Sequence, residues 1–357
     1  MGHIQRVDRP KPWVARYQGP DGRRHSKAFR RKVEAEAWLR REESNIDRAD
    51  WVDPRGGAIA FSEWAGTWLS GLHELKPKTV NEYRWHLSAR VLPTFGDRLL
   101  RSITPAIVRE WQNGLLAEGL SAGTVRQSRQ VLSSILGQAV DDGRLVRNPC
   151  EKVKPPTVRP RRQRFLTAEQ LAELADECGE YGPLVWFLGW SGLRFGEAVA
   201  LRVTRVNPPR RRIRVEEAAT EVRGRLVFGT PKTHEARTVI VPRYVIERIE
   251  PLLANRGPDD FVFTAPRGGP LRANNFRRRV FNPAVERMGI PDLVPHDLRD
   301  TAASLAISAG ASIKAVQRML GHASAKVTLD IYGGLFEEDL ETLADRLEER
   351  YGDQDPG

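Results

Sequence analysis

Apolar residues recur at helical spacing through the middle of the chain. Ile107, Trp111 and Leu115 keep the i, i+4, i+8 spacing of one buried stripe. Thr104 and Pro105 come directly before it, as an N-cap and a first helical residue. A second stripe comprises Val125, Leu132, Leu136 and Val140. The pattern predicts a compact helical bundle between residues 58 and 148.

The beginning of the chain has a different pattern. Residues 12–29 contain two short strand-like runs on either side of Gly-Pro-Asp-Gly, a strong turn signal. Val33, Ala37 and Trp38 then follow at helical spacing. The pattern predicts a β-hairpin packed on one helix.

The second half of the chain is mainly helical in pattern, with a β insert. Thr167 and Gln170 form a capping box that predicts the start of a helix ending near Gly179. Residues 211–222 and 238–242 are strand-like runs. A small antiparallel sheet is therefore expected inside an otherwise helical domain.

Two linker-like segments divide the chain. Residues 50–60 are rich in proline and glycine, and the second segment, near residue 155, combines prolines with basic residues. We therefore expect a multidomain protein that is mainly α with small β elements. The expected boundaries are 1–56 for an N-terminal domain, 57–149 for the helical bundle, 150–165 for a basic linker and 166–357 for the last domain.

The charge indicates a polyanionic partner. The 357 residues carry a net charge of +11 and have a pI of about 10.0, while 40% hydrophobic residues suffice for folded cores. Nucleic acid is the first candidate. The alternative is that these basic residues form ordinary solvated surfaces and a hinge. The candidate DNA contacts are Arg16, Arg23, Arg24, Lys27, Lys76, Lys78, Arg159, Arg161 and Arg162.

Two cysteines, Cys150 and Cys178, are too few for a disulfide framework or a four-sulfur zinc site. The first twenty residues lack the apolar run of a signal peptide, and no stretch approaches the length of a membrane span. These features predict a soluble cytoplasmic protein, associated with the nucleoid if it binds DNA.

Six side chains in the last domain form a possible chemical set. Each alone has an ordinary interpretation, such as a salt-bridged arginine, a solvated lysine, a capping histidine or a core tyrosine. Together, two guanidiniums, an ammonium, two imidazoles and a phenol can attack a phosphodiester without a metal ion. The set comprises Arg194, Lys232, His296, Arg299, His322 and Tyr332.

The order Arg, Lys, His-x-x-Arg, His, Tyr, with Leu-Gly-His ten residues before the tyrosine, resembles the tyrosine recombinase (phage integrase) family. The resemblance implies an arm-binding domain with a three-stranded sheet and one helix, a SAM-like core-binding bundle and a mixed α/β, mostly α, catalytic domain. By the same resemblance Arg194 and Arg299 would clamp the scissile phosphate, and Tyr332 would form a 3′-phosphotyrosine. Lys232 would be the general acid, His296 a proton-handling partner and His322 a hydrogen-bonding second histidine.

Some assignments stay open. Lys152 or Lys154 could replace Lys232 as the acid, Glu197 would orient basic neighbours, and Gly196 leaves the start of the helix after Arg194 uncertain. A metal-dependent nuclease is a minor alternative, built on His234, His296, Asp297 and His322. Further alternatives are a non-catalytic DNA-binding regulator, a type IB topoisomerase and a recombinase that resolves chromosome or plasmid dimers.

The implied partners follow from the family. They are double-stranded DNA with core and arm attachment sites, three further copies of the chain in a tetramer on DNA, a DNA-bending host factor and an excisionase. No cofactor or metal is expected. The leucines of the acidic tail from residue 335 onward are near helical spacing and would dock either on a neighbouring copy or on their own domain.

Overall fold

The computed structural model describes residues 2–48, 51, 53, 56–158, 163–231, 236–335 and 339–352. The chain separates into two compact units, residues 1–160 and 161–357. In the described residues, no helix is both long and apolar enough to cross a membrane.

The first unit begins with an antiparallel three-stranded sheet covered by one helix. The central strand, Trp13–Gln18, pairs with the strands before and after it in the sequence. In this register His3 lies opposite Arg16, and Tyr17 lies opposite His25. The expectation of a three-stranded sheet with one helix is confirmed. The elements are β1 (His3–Arg6), β2 (Trp13–Gln18), β3 (Arg24–Phe29) and α1 (Lys32–Asp47).

The face that α1 presents to the sheet matches the prediction only at Trp38, which packs against Tyr17 and Phe29. Val33 is 68% exposed and Ala37 is exposed, whereas Ala35 and Leu39 are buried against Ala15 and Tyr17 of β2. Val33 lies in the first turn of the helix, so its apolar side chain was a poor guide to the buried face. The buried positions still follow the i, i+4 rule.

The rest of the first unit is a helical bundle. Thr104 caps α5 by accepting a hydrogen bond from the backbone N–H of Ile107, and Pro105 is its first residue, as predicted. A π-helical turn, Leu87–Val91, joins α3 to α4. The bundle helices are α2 (Phe61–Ser70), α3 (Pro77–His86), α4 (Leu92–Phe95), α5 (Pro105–Ala117) and α6 (Ala122–Asp141).

The bundle core extends beyond its last helix. Cys150 and Val153 are buried in it, and Arg129 Nη2 donates to both of their carbonyl oxygens, at 2.5 and 2.7 Å. Gln112 Nε2 donates to the carbonyl oxygen of Lys154 at 3.0 Å. Residues 150–154 were predicted to belong to the linker. They are instead fixed to the bundle.

The second unit is mainly helical, with two small sheets. Its capping box is confirmed: Thr167 and Gln170 exchange hydrogen bonds of 3.1 and 3.2 Å at the start of the first helix. The helices are α7 (Ala168–Glu177), α8 (Gly182–Ser191), α9 (Phe195–Val199), α10 (Arg243–Leu253), α11 (Ala273–Phe276), α12 (Asn282–Arg287), α13 (Asp297–Ser308), α14 (Ile313–Leu320), α15 (Ala325–Tyr332) and α16 (Asp339–Tyr351).

The β insert forms two antiparallel sheets rather than one. Three strands pair in the order β4-β5-β8, while β6 and β7 form a separate hairpin. The strands are β4 (Val206–Asn207), β5 (Arg212–Val215), β6 (Ala218–Val222), β7 (Arg225–Gly229) and β8 (Arg237–Ile240). Alternate residues Ile213, Val215 and Val239 are buried in the core of the unit. The insert thus places Arg237, the first residue of β8, next to the helices of the same unit.

Candidate active site

Arg194 is placed by a tight turn between α8 and α9. Gly192 ends α8 with a φ of 66°, a left-handed conformation that favours glycine. Arg194 is then the N-cap of α9, so its backbone is extended and its side chain is only partly buried. A turn therefore separates the two helices at Gly192, and α9 starts at Phe195.

Gly196 has a packing reason to be in α9. A Cβ atom there would lie 2.4 Å from the carbonyl oxygen of Ala219 in β6. Only glycine lets the β6–β7 hairpin approach the helix so closely. The loss of helix propensity at Gly196 is offset by this contact, and the uncertainty about the start of the helix is resolved.

Glu197 is the centre of an ion-pair network. Its carboxylate is 2% exposed and accepts bonds of 3.0 and 2.6 Å from Arg237 and of 2.9 Å from Arg194 Nη1. Burial alone would raise the pKa of Glu197, but the hydrogen bonds and charges of Arg237 and Arg194 hold it below the usual value. Glu197 is therefore ionised and fixes both guanidiniums, in agreement with its expected orienting role.

Arg299 lies in the first turn of α13 and is 3% exposed. Nη2 donates to the carbonyl oxygen of Leu320 at 2.6 Å, and Nη1 donates to that of Gly192. Burial and the nearby charge of Arg194 lower the pKa of Arg299 to about 10, so it keeps its charge at neutral pH. The two carbonyls hold the cation next to the Arg194 turn.

His322 follows α14 directly after Gly321, which ends the helix in a left-handed conformation. Its Nδ1 lies 3.0 Å from Thr328 Oγ1, which is buried in α15. Burial, together with the charges of Arg299, Arg194 and Arg237, lowers the pKa of His322 to about 4. The imidazole is therefore neutral near pH 7.

Tyr332 ends α15 and is 1% exposed. Its hydroxyl donates to Asp300 Oδ1 at 2.6 Å, and its ring lies parallel to that of His322, with centroids 6.4 Å apart. Burial, and then the hydrogen bond and charge of Asp300, raise the pKa of Tyr332 far above its usual value, although Arg299 and Arg194 oppose this. The phenol is thus neutral and sits in the field of the two arginines.

Arg194, Arg299, His322 and Tyr332 are thus brought into one group. Among the described residues, His296 is joined to this group through its backbone, because its carbonyl oxygen accepts from the N–H of Arg299 at 3.0 Å. His296 is the N-cap of α13 and is exposed. Within the described parts of the chain, its side chain makes no hydrogen bond. His296 and Arg299 are three residues apart at the start of one helix, yet His296 is exposed and Arg299 is buried.

Lys232 lies outside the described residues, as do Arg159, Arg161 and Arg162. Of the other candidate DNA contacts, Arg16 and Arg24 point to the face of the sheet opposite α1, because strand residues alternate between faces. Lys27 lies opposite Ala15 on the α1 side, at the exposed edge, and Arg23 is exposed in the turn. Lys76 caps α3, and Lys78 pairs with Glu82 at 3.9 Å.

The described residues do not assemble the nuclease alternative. Among them, the one group of three histidines or acids at ligand spacing is Asp21, His25 and Asp53, which lies in the first unit. Three of the four proposed ligands, His296, Asp297 and His322, are described and form no such group. His234 is outside the described residues.

Comparison with known proteins gives the family. The sequence models for the phage integrase family, its N-terminal domain and its N-terminal SAM-like domain match residues 164–338, 4–48 and 60–116. The integrase of Mycobacterium phage FRAT1 is 31% identical, over 90% of this chain and 99% of the relative. The chain belongs to the phage integrase family. It is a site-specific tyrosine recombinase of the integrase type.

Solved structures show the same fold. The Tn1549 transposon integrase in complex with a circular intermediate DNA superposes with a TM-score of 0.68 at 20% identity, over 76% of this chain and 95% of that one. A lambda integrase tetramer bound to a Holliday junction gives a TM-score of 0.59 at 17% identity, over 90% and 96%. The recombinase therefore combines a mostly helical fold with small antiparallel sheets.

Two residues of the site, Arg237 and Asp300, were not predicted from the sequence. Arg237 lies five residues after Lys232, and Asp300 directly follows Arg299. Their neighbours in the sequence were a signal that could have found them. Their hydrogen-bond partners could not be inferred from the sequence, because Glu197 is 40 residues from Arg237 and Tyr332 is 32 residues from Asp300.

Proposed function

We propose that Tyr332 is the nucleophile that breaks a DNA strand and that Arg194 and Arg299 bind the scissile phosphate. The recombinase would use this step to integrate or excise a phage or another mobile element. The observation that carries the assignment is the buried Tyr332 hydroxyl, which bonds to Asp300 next to Arg299 and lies in the field of the fixed guanidiniums of Arg299 and Arg194.

The two arginines suit a phosphate that gains negative charge. Arginine offers a planar fork of donors and keeps its charge, so it can bind two non-bridging oxygens together. Glu197 and the carbonyls of Gly192 and Leu320 hold the two guanidiniums in place before DNA binds. Because the donors are already oriented, little reorganisation is needed when the transition state forms.

The strand break conserves the energy of the phosphodiester. The phenolic oxygen of Tyr332 forms a bond to phosphorus, the bond to the 5′ oxygen breaks, and a 3′-phosphotyrosine results. Lys232 would give a proton to the departing 5′ oxygen, and His296 would assist proton transfer once DNA covers it. Neutral His322 would donate a hydrogen bond to a phosphate oxygen. Attack by the 5′ hydroxyl of another strand then rejoins DNA without ATP.

The first unit would supply most of the remaining DNA contacts. Arg16 and Arg24 share the open face of the N-terminal sheet, a surface suited to an arm site. Lys76 and Lys78 at the start of α3 would contact the core site with the bundle. The basic residues Arg159, Arg161 and Arg162 would contact DNA phosphates.

Strand exchange at two sites needs four nucleophiles, so we expect the functional unit to be a tetramer on DNA. The lambda integrase tetramer on a Holliday junction supports this expectation. A DNA-bending host factor and an excisionase would set the efficiency and the direction of the reaction. The expected location is the nucleoid in the cytoplasm.

A nicked DNA duplex tests the nucleophile directly. When the nick lets the short 5′ fragment diffuse away, the covalent complex accumulates and separates in a denaturing gel. Tyr332→Phe removes one hydroxyl and should abolish the covalent band while the gel-shift affinity stays near that of the wild type. Tyr244→Phe is the matched control on the exposed surface of the same unit, and it should form the band normally. A covalent band from Tyr332→Phe would refute the assignment.

A further inference from the structure

The hydroxyl of Tyr332 has a specific partner that the family resemblance does not assign. It donates a 2.6 Å hydrogen bond to Asp300 Oδ1, and both side chains are buried. The carboxylate belongs to α13, one residue after Arg299, and the phenol ends α15. One helix therefore presents a phosphate-binding cation and a proton acceptor side by side to the nucleophile.

Other candidate proton acceptors are less well placed. His322 lies against the face of the Tyr332 ring, with planes within 6°, and its Nδ1 is engaged by Thr328. His296 is exposed and makes no hydrogen bond within the described parts of the chain. Arginine cannot accept a proton. Of the described side chains, Asp300 is the one that hydrogen-bonds the Tyr332 hydroxyl.

We propose that Asp300 is the general base that takes the proton of Tyr332 during attack on the DNA phosphate. The inference rests on Tyr332 being the nucleophile. As the phenolic oxygen bonds to phosphorus, its proton moves to Asp300 Oδ1, and the bond to the 5′ oxygen breaks as that oxygen gains a proton from the general acid. In the rejoining step, Asp300 returns the proton to the phenolic oxygen.

A carboxylate is a weak base for a free phenol, but the transfer accompanies bond formation. As the phosphorus–oxygen bond forms, the phenolic oxygen loses its basicity, so the proton moves to the carboxylate more easily as the reaction proceeds. The Tyr332 phenol is neutral in the resting site, so no phenolate is available for attack. A proton acceptor is therefore needed next to the hydroxyl. Asp300 already occupies the required hydrogen-bonding position.

Two substitutions separate proton transfer from simple positioning. Asp300→Asn keeps an oxygen that can accept the phenolic hydrogen bond but cannot take the proton, whereas Asp300→Ala removes both properties. Single-turnover formation of the covalent complex on the nicked duplex would be measured for each variant. Positioned general bases contribute about 100 to 10,000-fold. We expect both variants to be slower by about 100-fold or more, with normal DNA binding and near-UV circular dichroism.

A modified substrate identifies which proton is involved. When sulfur replaces the leaving 5′ oxygen, it departs as a thiolate and needs no general acid. The sulfur substrate therefore restores the cleavage rate only of variants that fail to protonate the leaving group. Asp300→Asn should therefore stay slow on this substrate. The rate of rejoining, measured with a purified covalent complex and a 5′-hydroxyl strand, should fall by the same factor as the cleavage rate.

Three results would overturn the proposal. If Asp300→Asn cleaves at the wild-type rate and only Asp300→Ala is slow, Asp300 merely positions the phenol. If both variants cleave as fast as the wild type or faster, the contact restrains Tyr332. If the sulfur substrate restores Asp300→Asn, the carboxylate acts on the leaving group. A covalent band with Tyr332→Phe would instead refute the assignment of the nucleophile, and it is scored in a separate lane.

Discussion

Glu197 gives the sharpest stability prediction because its carboxylate holds two arginines from inside the protein. Arg237 donates to both oxygens, at 3.0 and 2.6 Å, and Arg194 adds a third side-chain bond of 2.9 Å. The Arg237 side chain is only 10% exposed. Glu197→Gln keeps the volume but removes the negative charge, so Arg237 loses the one ion-pair partner it has among the described residues.

The expected loss is large. Removing one partner of a buried ion pair typically costs about 3 to 5 kcal/mol. For a unit the size of residues 161–357, each kcal/mol lowers Tm by about 2 to 4 °C, so Tm should fall by about 6 to 20 °C. Thermal unfolding followed by circular dichroism measures this shift. The cleavage rate should fall as well, because Arg194 loses a bond that orients it.

Glu216 is a matched control in the same unit. It also bridges two arginines, Arg205 and Arg214, at 2.5 and 2.7 Å, but its side chain is 24% exposed and both partners are more exposed still. Solvent-screened pairs contribute at most about 1 kcal/mol. Glu216→Gln should therefore change Tm little, and equal effects of the two substitutions would refute the reasoning from burial.

The effect also has a pH signature. Because the pKa of Glu197 is lower in the folded protein than its usual value of 4.5, the ionised carboxylate stabilises the fold above that value. The contribution is lost as the pH falls through the folded-state pKa. The Tm difference between the wild type and Glu197→Gln should be full at neutral pH and should shrink on acidification. A difference that grows toward acid pH would contradict the sign.

Three further predictions concern catalysis and DNA. Arg194→Ala should slow covalent-complex formation about 100 to 1000-fold, as loss of one oxyanion donor does elsewhere, whereas Arg205→Ala should not; equal rates would exclude Arg194 from the clamp. Recombination of supercoiled attachment-site plasmids should proceed in EDTA without ATP, and a strict magnesium requirement for cleavage would revive the nuclease alternative. Removing residues 1–56 should preserve cleavage of a short core duplex but abolish arm-site binding in gel shifts, with the salt slope falling by about 0.9 per lost phosphate contact; undiminished arm affinity would exclude an arm-binding role for this segment.

Local features of the fold could be predicted from the sequence because neighbouring residues determine them. The caps at Thr104 and Thr167 and the glycine end of α14 at Gly321 involve hydrogen bonds within a few residues. The buried face of α1 could not be predicted in this way, since Val33 is apolar but 68% exposed. The extent of the bundle was missed because a proline-rich sequence does not reveal that Arg129 anchors the carbonyls of Cys150 and Val153.

The same distinction applies to the site. The sequence predicts which residue types are available, but their surroundings depend on contacts between distant segments. Arg299 reaches Gly192, 107 residues away, and this contact buries it, while His296, three residues earlier, stays exposed. A motif of arginines, histidines and a tyrosine therefore predicts the reaction better than it predicts the protonation states. The protonation states of Tyr332 and His322 depend on Asp300 and on the arginines around Glu197. Only folding brings these groups close to the phenol and the imidazole.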